Sequence, residues 1–310
     1  MTAKVILNPY SGRWKALERF PEAEVALKAA GVIYNAVQSE SPGHGILLAE
    51  EAFLEGYSPI ICAGGDGSIG DVVNGIMSGA RRKGMDVPDI PLGILPLGTA
   101  NDLVDNLGLP RNLPSAARVI ADGKTRKIDL CQADIGKGQM VRYFVNNSAI
   151  GLEPTITLIQ QGIQRLRGIF RYLVAALVGI ARNPRWSIDM EWEGGEYHGP
   201  ANLVTIGNCP RTGGIFYMTP HADPSDGLLT FVYGYMRTRM QILQLLPRTM
   251  KPGPGNFVEH PAIHEIHSTW LRIHAEPPTP IHTDGEIQAK SIQDVEYRVL
   301  PARLPIIAGD

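Results

Sequence analysis

Two short glycine-rich segments hold the residue types best suited to chemistry. Gly64-Gly65-Asp66-Gly67-Ser68 follows a strand-like run at 59–63 and precedes a stretch in which Ile69, Val72, Val73, Ile76 and Met77 recur at helical spacing. Glycines let the backbone approach an anion closely, and the following helix presents unpaired N–H groups and a positive dipole end. A strand, a glycine loop and a helix therefore make a phosphate-binding arrangement, to which Ser68 adds a hydroxyl donor. Asp66 would repel phosphate unless a cation stood between them, which points to a Mg²⁺-nucleotide. The plainer alternative is a glycine turn with Asp66 as helix cap, and local physics divides the two about evenly. The segment is neither the Gly-Lys-Ser/Thr phosphate loop nor a GxGxxG fingerprint.

A second loop, Leu97-Gly98-Thr99-Ala100-Asn101-Asp102, lies between a strand expected at 91–95 and a helix expected from about Ala100. Loops at the ends of successive parallel strands open on one crevice, where α/β sheets bind ligands. Thr99 or Asn101 alone reads as a capping residue; beside the first loop, both favour a nucleotide cleft. Asp284-Gly285-Glu286 reads by itself as a hairpin turn, and Asp226-Gly227 as a turn. His221, His260, His264, His267, His274 and His282 show no tight ligand spacing and read as surface or satisfied core residues.

Both glycine loops sit in a region that alternates strands and helices. Strands are expected at 4–7, 32–37, 59–63 and 91–95, with helices at 14–30, 45–54 and 69–80, the pattern of an α/β layer fold. Near 127–130 the texture changes to β-rich segments at 142–146, 187–192, 201–207, 228–233, 270–274 and 295–300, as in an antiparallel sandwich. Helices at 158–181 and 239–250 interrupt it, stopped by Asn183-Pro184 and Pro252-Gly253-Pro254-Gly255.

Composition narrows the function classes. The 310 residues are 44% hydrophobic and 19% charged with net charge −2, which excludes the basic excess of a nucleic-acid binder and the polar bias of disorder. Cys62, Cys131 and Cys209 are far apart with no CxxC pair, so neither a disulfide framework nor a zinc site is expected, and a reducing cytoplasmic setting fits. No leader pattern opens the sequence, and the apolar run at 172–181 is too short to span a bilayer. Arg165, Arg167, Arg171, Arg182 and Arg185 flank apolar residues including Ile169, Phe170, Leu173, Val174 and Leu177. This basic amphipathic stretch, 162–185, suits an anionic membrane surface or an acyl-chain cleft, and equally a core helix with a solvated basic end.

Asn8-Pro9 with Ser11-Gly12, Gly64–Ser68, Pro96–Asp102, Ile128-Asp129, Asp226-Gly227-Leu228-Leu229 and Asp284-Gly285-Glu286 occur in one order along nearly the whole chain. In that order the sequence resembles the diacylglycerol-kinase-like lipid kinases, most of all their bacterial branch. GGDG alone would also suit NAD kinases or 6-phosphofructokinases. The resemblance implies an α/β nucleotide-binding domain over 1–128, an antiparallel β-sandwich lipid-binding domain over 129–298, and a segment, 299–310, returning to the first. It implies ATP and Mg²⁺ as cofactors. Ser39, Gly64, Gly65, Asp66, Gly67, Ser68, Asp71, Thr99, Asn101 and Asp102 would line the nucleotide. Glu286 would be the general base, and Asp284 would join Asp66, Asp102 and Asp129 at the catalytic Mg²⁺. Asp223, Asp226 and Leu228 would hold a structural Mg²⁺. A lipid substrate met at the membrane surface follows, with peripheral contact through 162–185, no nucleic acid, and a homodimer left open.

One departure stands out. The family's usual Thr-Ile-Asn-Glu after GGDG is here Ser68-Ile69-Gly70-Asp71. The hydroxyl is kept, the carboxylate is one methylene shorter, and an amide is lost. Two rivals are weighed: an NAD kinase, which shares GGDG, and, on the grounds of Gly70 and Asp71, a nucleotide- or lipid-binding regulatory protein weakened in catalysis.

Overall fold

Runs of β-branched residues separated by amphipathic helices build the first half of the chain, seen in a computed structural model that describes residues 2–86, 88–163, 168–182 and 184–309, with only the backbone described at 168 and 169. Two units form by internal contacts: residues 1–130, 143–145 and 300–310 make the first, and residues 131–142 and 146–299 the second.

The first unit contains β1 (Ala3–Leu7), α1 (Lys15–Ala29), β2 (Tyr34–Gln38), α2 (His44–Leu54), β3 (Ile60–Gly64), α3 (Asp66–Arg82), β4 (Leu92–Pro96), α4 (Asp102–Asn106) and α5 (Leu113–Asp122). The strands pair in parallel in the order β2-β1-β3-β4, with Ile6 beside Cys62 and Cys62 beside Ile94. Ile306, from the returning segment, lies parallel beside Leu92. Every residue of β3 and β4 is buried, as a parallel sheet covered on both faces requires. One face packs Val5, Leu7, Ile61 and Leu95 against Ala23 and Leu27 of α1 and Ala117 and Ile120 of α5. On α3, a Cβ at Gly75 would overlap the carbonyl of Ile46 and stand 2.6 Å from the Ala49 methyl, so glycine is what lets α2 and α3 meet.

The second unit is antiparallel. β5 (Thr125–Ile135) leads in and pairs with β6 (Met140–Phe144). There follow β7 (Asn147–Gly151), α6 (Leu152–Gly162), α7 (Gly168–Arg182), β8 (Trp186–Trp192), β9 (Gly195–Ala201), β10 (Leu203–Gly207), β11 (Leu229–Gly234), α8 (Arg239–Leu245), β12 (Ile263–Ser268), β13 (Trp270–Thr283) and β14 (Glu286–Ile307). Its main order is β12-β11-β10-β7-β13-β14. β13 pairs with β8 over 271–276 and with β7 over 281–283, and register shifts against β14 separate the two stretches. Bulges of this kind bend a strand, which lets one strand serve two layers. Trp192 of β8 meets the Phe231 ring of β11 edge-on, with centroids 5.3 Å apart. Leu152, Ile156, Ala175, Ala176 and Ile180 form the core under α6 and α7, with Leu203 and Ile242 packed against it.

The α/β and antiparallel architecture agrees with the sequence reading, while several boundaries differ for physical reasons. α3 begins at Asp66 rather than Ile69, because Gly65 already serves as its cap. The single helix expected at 158–181 is two, α6 and α7; residues 164–167, Arg165 and Arg167 among them, lie outside the described residues, as does Asn183. The expected 239–250 helix tightens into a 3-10 turn over Leu246–Met250, where Pro247 enters. β9 and β12 escaped notice because β9 alternates exposure with few apolar residues and β12 is interrupted by His264, Glu265 and His267. β13 runs on through Pro277, Pro278 and Pro280, which look like breakers in sequence but fall largely where the strand changes partner.

Candidate functional site

In the first unit the two glycine loops are stitched together at the carboxyl ends of β3 and β4. Gly64 ends β3, and its carbonyl accepts from the N–H groups of both Leu97 (2.9 Å) and Gly98 (3.0 Å). Gly65 caps α3, and a Cβ there would lie 2.9 Å from the Gly98 Cα, so backbone touches backbone. Asp66, Gly67 and Ser68 form the first turn of α3, a site of unpaired N–H groups. The Leu103 N–H donates to Asp66 Oδ1 at 3.0 Å, which fixes the carboxylate toward the second loop. Ser68 is buried; its Oγ accepts from Asn8 Nδ2 at 2.9 Å and lies 3.0 Å from Ser11 Oγ. The hydroxyl thus joins the loop after β1 to the first glycine loop.

Asn101 braces the second loop from within. Its backbone is left-handed (φ 52°), and its side chain accepts from Gly98 N–H (3.1 Å) and donates to Gly98 carbonyl (3.2 Å). Thr99 is exposed, whereas Asp102 is buried at the start of α4. Arg111 clamps the outside: it grips Asp105 through Nε (2.5 Å) and Nη2 (2.6 Å) and donates from Nη2 to the Ala100 carbonyl at 2.7 Å. Hydrogen bonding to Asp105 raises the guanidinium's pKa, against a smaller desolvation effect, and the charges of Asp105, Asp102 and Asp66 act in the same direction. Ser39 is buried and its N–H donates to Leu7 carbonyl at 2.9 Å. Asp71 packs beside Gly45 of α2, while Asn74, one turn on from Gly70, donates to the Gly70 carbonyl at 2.8 Å. Asp129 is buried, and one carboxylate oxygen accepts from Ala302 N–H at 2.7 Å, an anchor for the returning segment. Cys62 is fully buried behind the loop; desolvation, with Asp71 and Asp66 nearby, pushes its thiol pKa far up and leaves it inert.

In the second unit Asp284 and Gly285 form the two-residue turn between β13 and β14, with φ 46° and 81°. Two left-handed residues match the twist of a tight hairpin, so the Asp-Gly turn reading is realised. Asp284 is nevertheless buried: its Oδ1 accepts from the N–H groups of Asn146 (2.9 Å) and Asn147 (3.1 Å), and its own N–H donates to Asn147 carbonyl at 2.7 Å. Glu286, first residue of β14, is exposed. Asp223 and Asp226 lie on an exposed turn: Asp223 Oδ1 accepts from Ser225 N–H and hydroxyl, and Asp226 Oδ1 from Leu228 N–H at 2.8 Å. Among the described residues no group of three or more His, Cys, Asp or Glu side chains converges as a metal site.

Two family models cover almost all of the chain: the diacylglycerol kinase catalytic domain matches residues 2–133, and the YegS C-terminal NAD kinase beta sandwich-like domain matches residues 147–308. The chain belongs to the diacylglycerol kinase catalytic-domain family. It is 27% identical over 289 residues to the diacylglycerol kinase of Staphylococcus aureus strain bovine RF122 / ET3-1, covering 93% of this chain and 87% of the relative. In fold it is similar to a diacylglycerol kinase from Bacillus anthracis strain Sterne, with TM-score 0.71, 20% identity, and 99% and 97% of the two chains covered. A yeast NADH kinase complexed with NADH shares the fold more distantly, with TM-score 0.54, 13% identity, and 99% and 82% covered.

Within this family member, the first unit brings Gly64–Ser68 and Gly98–Asp102 together, and the second carries Asp284, Glu286, Asp223, Asp226 and Leu228. Arg111 escaped the sequence reading because a lone arginine after a proline carries no pattern. Asn8 and Ser11 were marked as a motif, but their grip on Ser68 depends on β1 and β3 being neighbours. Asp66 and Asp102 offer carboxylate oxygens, the donor type taken by a hard cation such as Mg²⁺, which keeps several waters and needs only one or two carboxylates. On α7, Phe170, Val174, Leu177 and Val178 form one exposed apolar face, with Arg182 and Arg185 exposed beyond it. Arg171 faces elsewhere: it donates to the Gln160 carbonyl at 2.7 Å and to Gln161, capping the end of α6. No helix among the described residues is long and apolar enough to cross a membrane.

Proposed function

We propose that this protein is an ATP- and Mg²⁺-dependent lipid kinase that phosphorylates a hydroxyl of diacylglycerol or a related lipid. The observation that carries the reading is the pair of glycine loops held by the Gly64 carbonyl, in a chain of a kinase family. Backbone contact between Gly65 and Gly98 leaves room for phosphate oxygens to approach the α3 N-terminus, where N–H groups and dipole favour anions. Bound Mg²⁺ would neutralise the triphosphate and align it for transfer. Asp66 and Asp284 would hold it, joined by Asp102 and by Asp129, whose carboxylate also accepts from Ala302 N–H.

Glu286 takes the proton from the acceptor hydroxyl as that oxygen forms its bond to the γ-phosphorus and the bridging oxygen departs with ADP. Asp284, buried and doubly bonded to backbone N–H groups, keeps the turn that presents Glu286. Ser39, Gly67, Ser68, Asp71, Thr99 and Asn101 complete the nucleotide surround, and the Asp223–Asp226–Leu228 turn is the structural Mg²⁺ site. The exposed apolar face of α7 with Arg182 and Arg185 supports peripheral contact with an anionic membrane surface at the cytoplasmic side, where such a substrate resides.

Incubation with labelled ATP, Mg²⁺ and either diacylglycerol micelles or NAD tests this. Label is expected in the lipid. Label in NAD alone would replace the reading with an NAD kinase, and ATP binding without transfer to either acceptor would favour a regulatory protein. Glu286→Gln should abolish transfer with ATP affinity retained; unchanged turnover would remove Glu286 as the base.

A further inference from the structure

A buried polar assembly in the second unit has no part in the chemistry described so far. Glu153, near the start of α6, has a carboxylate with side-chain exposure of only 16%, and it accepts from three strands at once. Its Oε1 accepts from His282 Nε2 of β13 at 3.1 Å and Asn147 Nδ2 of β7 at 3.2 Å, and its Oε2 from Thr205 Oγ1 of β10 at 2.9 Å. A carboxylate accepts only, so Nε2 is the donor of this contact. No described protein group reaches the opposite nitrogen, Nδ1, although His282 is 2% exposed.

Such an arrangement is a poor way to stabilise a core. An apolar side chain at 282 would remove a buried nitrogen that lacks a protein partner but would also take one of three donors from the Glu153 carboxylate, so the two effects on stability oppose each other. What the assembly does instead is hold the Asp284–Glu286 turn from two sides. His282 is two residues before Asp284 on the incoming strand, and Ser148 Oγ donates to its carbonyl at 2.6 Å. Asn147 commits its side chain to Glu153 and to Thr212, whose Oγ1 lies 3.1 Å from Asn147 Oδ1, while its backbone clasps Asp284 through both N–H and C=O.

We propose that Glu153 and His282 are positioning residues for the proton-accepting turn, with Glu153 gripping both the strand that enters the turn and the residue that anchors it. The claim rests on Glu286 being the base. The test measures kcat on a lipid acceptor, KM for ATP and the thermal midpoint in His282→Leu and His282→Gln. His282→Leu should lower kcat about tenfold or more while KM for ATP stays within about twofold and the midpoint moves by only about a few degrees, the donor lost to Glu153 being offset in part by removal of the unpartnered Nδ1. His282→Gln, whose amide donates from near the Nε2 position, should recover turnover to within about threefold of wild type. A merely structural role predicts the opposite pairing, with turnover and midpoint falling together in His282→Leu, and that result overturns the proposal, as does unchanged turnover. If His282→Leu does not fold, Thr205→Val removes the donor to Oε2 alone; a lower kcat at unchanged KM for ATP is expected, and wild-type kcat overturns the claim. Glu286→Gln run alongside separates the two ideas: full activity there sinks the base and this proposal with it, whereas an inactive Glu286→Gln beside a fully active His282→Leu sinks only the positioning role.

Discussion

Gly65→Ala is the sharpest probe of the stitched glycine loops. Gly65 has φ −113° and ψ −168°, an extended backbone open to any residue, so alanine adds a Cβ and no backbone strain. That atom would stand 2.9 Å from the Gly98 Cα. Non-bonded carbons settle at about 3.5–4.0 Å, so the loops must part by about 0.6–1.1 Å. Overpacking against an unyielding neighbour costs about 1–3 kcal/mol. At about 2–4 °C per kcal/mol for a domain of 150–250 residues, the thermal midpoint of the first unit should fall by several degrees. A displacement of about 1 Å in a positioning element costs about 100-fold in turnover, and we expect ATP affinity to weaken about tenfold or more. Calorimetric titration with ATP, turnover with a lipid acceptor and a thermal melt read these three effects. Gly253→Ala is the control, because a Cβ there meets nothing within 4 Å. If Gly65→Ala binds ATP and melts like wild type, the close approach of the loops is not what shapes a nucleotide site.

Three further outcomes follow from local geometry. Glu50 accepts from Arg82 (2.6 Å) and Ser78 (2.8 Å) between α2 and α3, and chiefly the Arg82 hydrogen bond lowers its pKa below 4.5. The unfolded chain therefore binds that proton more readily, so the stabilisation is complete above about pH 4.5 and is lost as pH falls through the lower folded value. Unfolding midpoints of wild type and Glu50→Gln should converge on acidification, and a constant gap would refute the linkage. Asp129→Ala removes the buried carboxylate that accepts from the N–H of exposed Ala302, and loss of this hydrogen bond to a charged group should cost about 1.5–3 kcal/mol in denaturant unfolding; an unchanged midpoint would free Asp129 from its anchoring role. Leu177→Asp on the exposed α7 face should reduce cosedimentation with anionic vesicles while ATP affinity stays constant, and equal vesicle binding would remove α7 as the membrane-facing element.

Much of this molecule is decided by patterns a few residues long. The alternation of apolar runs and 3.6-residue periodicity from Lys4 to Leu95 dictates an α/β layer, because each such segment has one way to bury its apolar atoms. Glycines and acidic residues at 64–68, 97–102 and 284–286 mark the candidate functional turns, because those residue types fit a tight backbone beside charge. Even Asp284-Gly285 as a hairpin was legible, since few dipeptides accept two left-handed residues. Where β13 ends was not: its prolines look like a stop, and only pairing with β8, β7 and β14 carries the strand through them. Nor could local sequence foresee that Ser68 would be tied to Asn8 and Ser11, that Arg111 would clamp Asp105 and Ala100, or that Glu153 would gather His282, Asn147 and Thr205. Those contacts join residues up to 129 positions apart. Side-chain identity sets what each group can donate or accept, but which groups meet is settled by strand order and register, and these depend on the burial of the whole sheet.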